Sequence, residues 1–386
     1  MLIANLVILL IISSCVAYQY LKGTFIKSFA TVIIVICASV VAFGYFELLA
    51  NVFISRSGNS RFSALVPWAQ PLSFTLLFVL TFGILQTIVA RLTHQKVDLG
   101  LLPERIGRVV CGIFLGIITS GLLLTVLAMA PLPGKYPYQR FDENRPDAEK
   151  PNKVLFNADG FATGWFSMVS KGSFSGKRSF ATLHPAFLDQ VFLNRHKLED
   201  KLSITTSSNA IELPKKKAAQ KAAAAWPARE DLKDTNGRPL PPKSGHSLTI
   251  VRVGIKKNAL KDPGKFTLAQ LRLICKQKRH ADKNPLAGKA KNVYPLGYLS
   301  AANRLQTKRL NDVITLVRSD FKNKATVRYI DFAFYVPTDS VPVLLEFKQN
   351  SIAEVPPLVT ADDAPPTDPF IQPADRKKGS DAKSKR

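Results

Sequence analysis

Residue types that perform catalysis are scarce in the long apolar stretches of this sequence. Four such stretches, at 1–20, 29–50, 68–90 and 109–130, contain serine and threonine but no histidine and no aspartate. Intramembrane proteases use a serine–histidine pair, an aspartate pair or a metal motif within their membrane-spanning segments. None of these three classes of protease fits the four apolar stretches. Glu47 is the single acidic residue in the stretches, and its place in a final turn favours the membrane interface over proton transport.

One glycine-containing segment, Gly172–Arg178, has some features of a phosphate-binding loop. A Walker loop needs four residues between its glycines and a serine or threonine after the lysine. This segment has three residues between its glycines, and Arg178 follows Lys177, which argues against nucleotide binding. Of the four cysteines, Cys275 alone lies in the polar part, so we expect neither a disulfide framework nor a zinc site. We interpret the remaining candidates as surface or turn residues: His184, His196, His246 and His280. We therefore predict no enzyme, no catalytic residues, no cofactor and no metal.

The four apolar stretches have the length and composition of transmembrane helices. A helix crosses the bilayer core of about 30 Å with roughly 20 residues. Residues 1–130 carry a net charge of +5, whereas the rest of the chain carries the other +20 of the total +25. A soluble helical protein is the alternative, but these helices would leave too little polar surface. Residues 1–20 lack the positive start of a cleaved signal, and a lipid anchor at the box Ile12–Cys15 would be redundant beside three further spans.

Small residues in the fourth stretch predict close helix packing. Helices in lipid associate through van der Waals contact, which small side chains permit. The candidate packing residues are Gly107, Gly112, Gly116 and Gly121. They indicate a helix–helix or subunit interface; an ordinary membrane helix with scattered glycines is the alternative.

Three segments of the first 130 residues resemble the CvpA family of colicin V production proteins. Asn5–Leu10 opens the first span, where the family usually has an acidic residue; Tyr20–Phe29 forms a basic turn around Gly23; and Arg105–Gly116 begins the fourth span. The resemblance implies a four-span protein of the bacterial inner membrane that assists toxin production or export, or envelope homeostasis. The family-motif positions are Asn5, Gly23 and Arg105. The neutral amide of Asn5 departs from the family pattern and argues against proton handling there.

Lysine and arginine in the short connections predict the orientation. The first and third connections carry six of these residues: Lys22, Lys27, Arg91, Lys96, Arg105 and Arg108. The second carries Arg56 and Arg61. Because positive connections stay in the cytoplasm, both termini of this multi-pass chain are expected outside it.

The remaining residues are expected to form a soluble α+β, mostly-β extension. Residues 131–153 are interpreted as a linker, 154–200 as a short amphipathic helical region packed as a core or lying on the membrane, and 201–245 as a basic linker. From 246 to 355 the hydrophobic period changes to two, with alternating runs at 249–255, 313–317, 330–336 and 343–347, which predicts a β-sandwich. Residues 356–386 are predicted to be a disordered basic tail.

Three hypotheses for function follow from this organisation. The first is a CvpA-like protein, forming a homo-oligomer or binding other membrane proteins through the fourth span. The second is a structural anchor that presents a basic β-domain to anionic lipid, wall polymer or protein partners. The third, a transporter, is disfavoured by the few polar groups in the spans. Besides the lipid bilayer and these partners, no nucleic acid is expected.

Overall fold

A computed structural model describes residues 1–56, 61–92, 100–171, 179–197, 202–214, 223–260, 264–278, 289–321 and 325–373. The segment Gly172–Arg178, His94, His280, the run Lys215–Lys217 and residues 374–386 lie outside this description. The chain divides into two compact units. The helical unit comprises Met1–Phe141, Glu149–Phe174 and Phe187–Phe192, and the β-rich unit comprises Asp142–Ala148, Ser175–Ala186 and Leu193–Arg386.

Four long helices dominate the helical unit: α1 (Leu2–Lys22), α2 (Phe25–Arg56), α3 (Ala69–Leu92) and α4 (Leu101–Met129). A 3-10 helix, Arg61–Trp68, precedes α3. All four helices are long and apolar enough to cross a membrane, and the described residues contain the four such helices that the sequence predicts. α4 begins before its uncharged stretch, and Glu104 and Arg108 pair one turn apart in its first turns, at 2.6 Å.

Shorter helices lie in the region 154–200. They are α5 (Ala158–Lys171), α6 (Phe180–Leu183) and α7 (Phe187–Asn194), and a 3-10 turn at Leu155–Asn157 leads into α5. In the helical unit, Phe166 of α5 stacks on Phe43 of α2 with ring centroids 4.9 Å apart, and Phe187 of α7 meets Phe46 at 5.9 Å. α5 therefore packs by an aromatic face against the long helices.

The β-rich unit contains thirteen described strands in several sheets. They are β1 (Ile211–Glu212), β2 (Ala225–Pro227), β3 (Lys233–Asp234), β4 (His246–Lys256), β5 (Gly264–Thr267), β6 (Leu271–Gln277), β7 (Ala290–Val293), β8 (Pro295–Ala301), β9 (Arg304–Thr307), β10 (Val313–Leu316), β11 (Val327–Pro337), β12 (Ser340–Phe347) and β13 (Ser351–Glu354). A seven-stranded sheet has the order β1-β4-β11-β8-β9-β3, with β2 also paired to β4. The other two sheets have the orders β13-β12-β6-β7 and β10-β5.

One apolar core receives residues from all three sheets. Val253 and Phe332 come from the seven-stranded sheet, Leu273 and Phe347 from the four-stranded sheet, and Phe266 from the two-stranded sheet. The predicted β-rich extension is confirmed, while the β-sandwich stays a prediction. In the run 313–317 the core side chains are Ile314 and Leu316, so the face formed by Val313, Thr315 and Val317 is not the buried one.

Two segments predicted to be linkers are instead packed. Within 131–153, Tyr138 and Phe141 are buried. Within 201–245, β2 pairs with β4, and Trp226 fills a second apolar cluster with Ile250. Composition suggested linkers because prolines and charges surround these few apolar residues.

The predicted disordered tail begins too early. Described residues 356–373 run along the β-rich unit, and the side chain of Phe370 is fully buried against Tyr298, with ring centroids 5.1 Å apart. Arg252 Nη2 donates to the carbonyl of Pro366, and Arg328 Nη2 donates to that of Pro369, each at 2.7 Å. Proline carbonyls remain good acceptors, so a proline-rich segment is held here without a β-ladder.

Candidate functional site: a buried ionic network in the helical unit

A buried network of charges forms where the chain continues beyond α4. Arg140 Nε donates to Asp189 Oδ1 at 2.6 Å, and its Nη1 donates to the Tyr138 hydroxyl at 2.7 Å. The Tyr138 hydroxyl in turn donates to Asp159 Oδ2. Arg140 Nη1 also lies 3.7 Å from Asp159 Oδ2. One guanidinium thus serves two carboxylates, which lie in the first turns of α5 and α7.

The local backbone explains how these groups meet. Tyr138 and Arg140 are two residues apart in a non-helical segment, and the hydrogen bond between them brings both side chains into the network. Asp159 lies one residue into α5, where its Oδ1 accepts the Gly160 amide at 2.8 Å. An acidic residue in a first turn is also favoured by the helix dipole. Both partners of Arg140 are therefore placed by helix starts.

The environment of the network is nearly dry. Tyr138 is 1% exposed, Arg140 6% and Asp159 0%. The ring of Phe192 lies 5.1 Å from that of Tyr138, and the Arg140 guanidinium carbon lies 5.9 Å from the Phe192 centroid. Burial, reinforced by the negative charge of Asp159, raises the pKa of Tyr138 above its ordinary value. The phenol therefore stays protonated and donates its hydrogen bond throughout the physiological range.

The chemistry available to this network is structural. A protonated phenol and a permanently charged guanidinium supply donors, and the two carboxylates accept them. Such a bonded network in a low dielectric fixes one arrangement of the segments that carry it. It joins the segment after α4 to the starts of α5 and α7. Among the described residues, no group of three or more His, Cys, Asp or Glu side chains is placed to hold a metal ion.

The predicted packing glycines all lie against other elements of the helical unit. A Cβ atom at Gly112 would stand 2.7 Å from Val16 Cα, and one at Gly116 would stand 2.6 Å from Ile12 Cα. At Gly107 it would meet the Phe25 ring at 2.2 Å, and at Gly121 the Ala158 carbonyl oxygen at 2.1 Å. At each of these positions the neighbouring element lies so close that only the hydrogen side chain of glycine fits. A homo-oligomer through Gly112 and Gly116 would require α1 to leave α4.

We predict that Gly112→Ala weakens the α1–α4 contact by about 1–3 kcal/mol, because the added methyl meets backbone atoms of α1. Thermal unfolding in detergent, followed by helical circular dichroism, measures the change. Gly44→Ala is the matched control, since nothing lies within 4 Å of a Cβ there. Equal effects of the two substitutions would contradict the close-packing role of Gly112.

The family-motif positions occupy separate places. Gly23 ends α1, and a Cβ there would lie 2.6 Å from the Gln19 carbonyl oxygen. Arg105 is exposed on α4. The Asn5 side-chain oxygen accepts the backbone N–H of Leu155 at 2.9 Å, so it ties the approach to α5 onto α1. The structure thus brings Asn5 together with neither of the other two.

We predict that Asn5→Leu loosens the segment at Leu155, because the Leu155 amide loses its hydrogen-bond acceptor. The loss should destabilise this contact by about 1–3 kcal/mol. Hydrogen exchange at Leu155 should accelerate accordingly. Asn5→Asp keeps an acceptor oxygen, so the Leu155 amide of this variant should exchange at the wild-type rate. If the Leu155 amide exchanges no faster in Asn5→Leu than in Asn5→Asp, the hydrogen bond to Asn5 does not hold the segment before α5 on α1.

The β-rich unit also has buried ion pairs that the sequence did not reveal. Arg252 and Asp331 face each other across β4 and β11, with two hydrogen bonds of 2.6 and 2.8 Å. Arg272 and Glu346 face each other across β6 and β12, at 4% and 3% exposure. Each pair depends on strand register, and no local spacing signals it.

The ionic network in the helical unit was likewise missed. Tyr138 and Arg140 were assigned to a linker, and neither Asp159 nor Asp189 was singled out. The local signal for it is an acidic residue in the first turn of each helix, Asp159 in α5 and Asp189 in α7.

Comparison with protein-family models, with curated proteins and with solved structures finds no match to this chain. The resemblance to the CvpA family therefore stays a hypothesis.

Proposed function

We propose that this chain is a multi-pass protein of the bacterial cytoplasmic membrane whose helices anchor a basic, β-rich domain on the extracytoplasmic side. The domain binds anionic partners there, such as acidic wall polymers, anionic headgroups or acidic proteins. The net charge of +20 outside the first 130 residues favours such partners. The excess of Lys and Arg in the first and third connections supports the orientation.

One observation favours an anchor over a transporter. Five hydroxyls within the long helices donate to carbonyls of their own helix: Ser39 to Ile36, Thr75 to Pro71, Thr87 to Gly83, Thr119 to Leu115 and Thr125 to Gly121. Side chains bonded in this way supply little to a polar path, which a transported ion or polar solute needs. Close glycine packing of α1 on α4 also suits a fixed support.

The orientation is tested with a reporter enzyme that is active on one side of the membrane, fused after Arg386. Activity outside the cytoplasm is expected. A cytoplasmic signal would refute the proposed placement of the β-rich domain and its extracytoplasmic partners.

Partner chemistry is tested with the full-length protein in vesicles of neutral lipid. Polyglutamate should bind, and its binding should fall steeply as salt rises, because exposed charges are screened over about 10 Å at 0.1 M salt. Polylysine is the matched probe of opposite charge. Equal binding of both polymers, or binding that ignores salt, would contradict an electrostatic partner surface.

A second candidate function is CvpA-like assistance to toxin export or envelope homeostasis. It is favoured by the contact of two segments that carry the resemblance. The Phe25 amide donates to Glu104 Oε1 at 3.2 Å, and Arg108 Nη1 donates to the Tyr20 carbonyl at 3.4 Å. The turn around Gly23 therefore meets the beginning of α4.

Replacement of the membrane region separates the two candidates. A chain whose first 130 residues are exchanged for an unrelated membrane anchor should restore a deletion strain if these helices are an anchor. It should fail if they act themselves, as the CvpA-like function requires. Gly112→Leu combined with Gly116→Leu should then fail as well.

A further inference from the structure

An apolar groove runs between three helices of the helical unit. Ile36 and Ser39 of α2 form one wall, Ile118 and Leu122 of α4 form the other, and Phe161 and Trp165 of α5 close it partly. Its volume is about 150 Å³. Its apolar walls favour an apolar occupant over water, and the volume fits part of a hydrocarbon chain.

The walls of the groove select a hydrocarbon. Among the described residues that line it, the one hydroxyl is that of Ser39, which already donates to the Ile36 carbonyl at 2.7 Å. The groove thus offers its occupant aliphatic and aromatic surface. A polar ligand would lose its water contacts there with little compensation.

The position of the groove points to the bilayer as the source of that hydrocarbon. α5 crosses α4 at Gly121, which is about 12 Å along the helix axis before its last residue, Met129. The outer face of α5 exposes Phe161, Trp165 and Met168, at helical spacings of four and three. This face continues the exposed apolar surface of α4, where Phe114 is 49% exposed.

We propose that this groove holds part of one hydrocarbon chain of a membrane lipid, with α5 lying over it as a clamp. The Phe161 and Trp165 rings cover the hydrocarbon chain from the lipid side, and α2 and α4 supply the two walls of the groove. This inference goes beyond anchoring, since an anchor needs lipid around it but no bound chain.

The experiment uses the full-length protein in phosphatidylcholine vesicles that contain a trace of phospholipid with a diazirine on one acyl chain. After irradiation, mass spectrometry locates the labelled residues. Labelling in the groove is compared with labelling at Val79, Leu80 and Ile84, which expose apolar surface on α3. A retained chain should label groove residues several-fold more strongly than this α3 surface.

Ser39→Leu adds a larger side chain to the α2 wall and fills part of the groove. It should reduce groove labelling several-fold, while labelling of α3 is unchanged. Ser55→Leu is the matched control, because Ser55 also lies on α2 and bonds within its own helix, to the Val52 carbonyl at 3.1 Å. It should leave groove labelling intact.

The outcomes separate the bound chain from anchoring. Groove labelling equal to that of α3 would show ordinary lipid contact and overturn the proposal, and absence of groove labelling would overturn it in favour of coverage by protein. Cross-linking of the groove to a second copy or to another protein would have the same consequence. In each of these cases, labelling of α3 still reports insertion in lipid, whereas failure at both places would count against the membrane anchor itself.

Discussion

Arg140→Met is expected to destabilise the helical unit by about 3–5 kcal/mol, because it leaves the buried carboxylate of Asp159 and the partly buried carboxylate of Asp189 without their cation. Thermal unfolding in detergent, followed by helical circular dichroism, should show a much lower midpoint. The effect is large because breaking a buried pair costs far more than the pair itself contributes.

Two further variants identify charge compensation as the cause. Arg145→Met changes the same residue type at an exposed position five residues further along the chain and should leave the midpoint almost unchanged. Arg140→Met combined with Asp159→Asn and Asp189→Asn removes all three charges and should recover most of the loss. If the triple variant is as unstable as Arg140→Met alone, the role of Arg140 is packing against Phe192 rather than electrostatics.

Lys348→Met is expected to stabilise the β-rich unit. Lys348 is 2% exposed, in the turn between β12 and β13, and its ammonium nitrogen lies 3.4 Å from the Lys265 carbonyl oxygen. Burial lowers the pKa of Lys348 to about 7. With an unfolded pKa near 10.4, the difference corresponds to a penalty of about 3–5 kcal/mol, which methionine avoids while filling a similar volume.

The sign of the pH dependence is specific to this group. The folded state disfavours the charged lysine, so the penalty is complete below pH 7, shrinks as pH rises, and vanishes above the unfolded pKa. The advantage of Lys348→Met should therefore be largest at pH 7 and nearly gone at pH 10. Denaturant unfolding at the two pH values measures it.

Lys265→Met is the control for Lys348→Met, because Lys265 is an exposed lysine beside the same turn. It should change stability little at either pH. An advantage of Lys348→Met that is the same at pH 7 and pH 10 would contradict desolvation of a charge as the cause.

Sequence reasoning succeeded where one property repeats along a single element. The four long helices follow from apolar length alone, since about 20 uncharged residues have few other stable arrangements. The runs in β4, β11 and β12 followed from the period of two, and their core residues include Val251, Phe332 and Leu345. The glycines of α4 indicate close packing, but they do not reveal the partners, which are α1 for Gly112 and Gly116, Phe25 of α2 for Gly107 and Ala158 of α5 for Gly121.

It failed where a segment depends on a distant partner. β6 was overlooked because Arg272 and Lys276 interrupt its apolar pattern, yet Arg272 is buried opposite Glu346. Trp226 was assigned to a linker because its strand is three residues long and gains its order from β4. Such hydrogen-bonded pairing between backbones leaves little trace in composition.

The sequence by itself determined that this protein has four helices of membrane-spanning type and a basic, β-rich remainder. Apolar length and alternation are local properties, and burial of apolar surface acts on them directly. The tertiary structure alone decided that Tyr138, Arg140, Asp159 and Asp189 form one network, and that α5 partly closes a groove over α2 and α4. These arrangements join residues up to about 130 positions apart in the chain, and a charge is tolerated in a dry interior only when folding brings its partner to it.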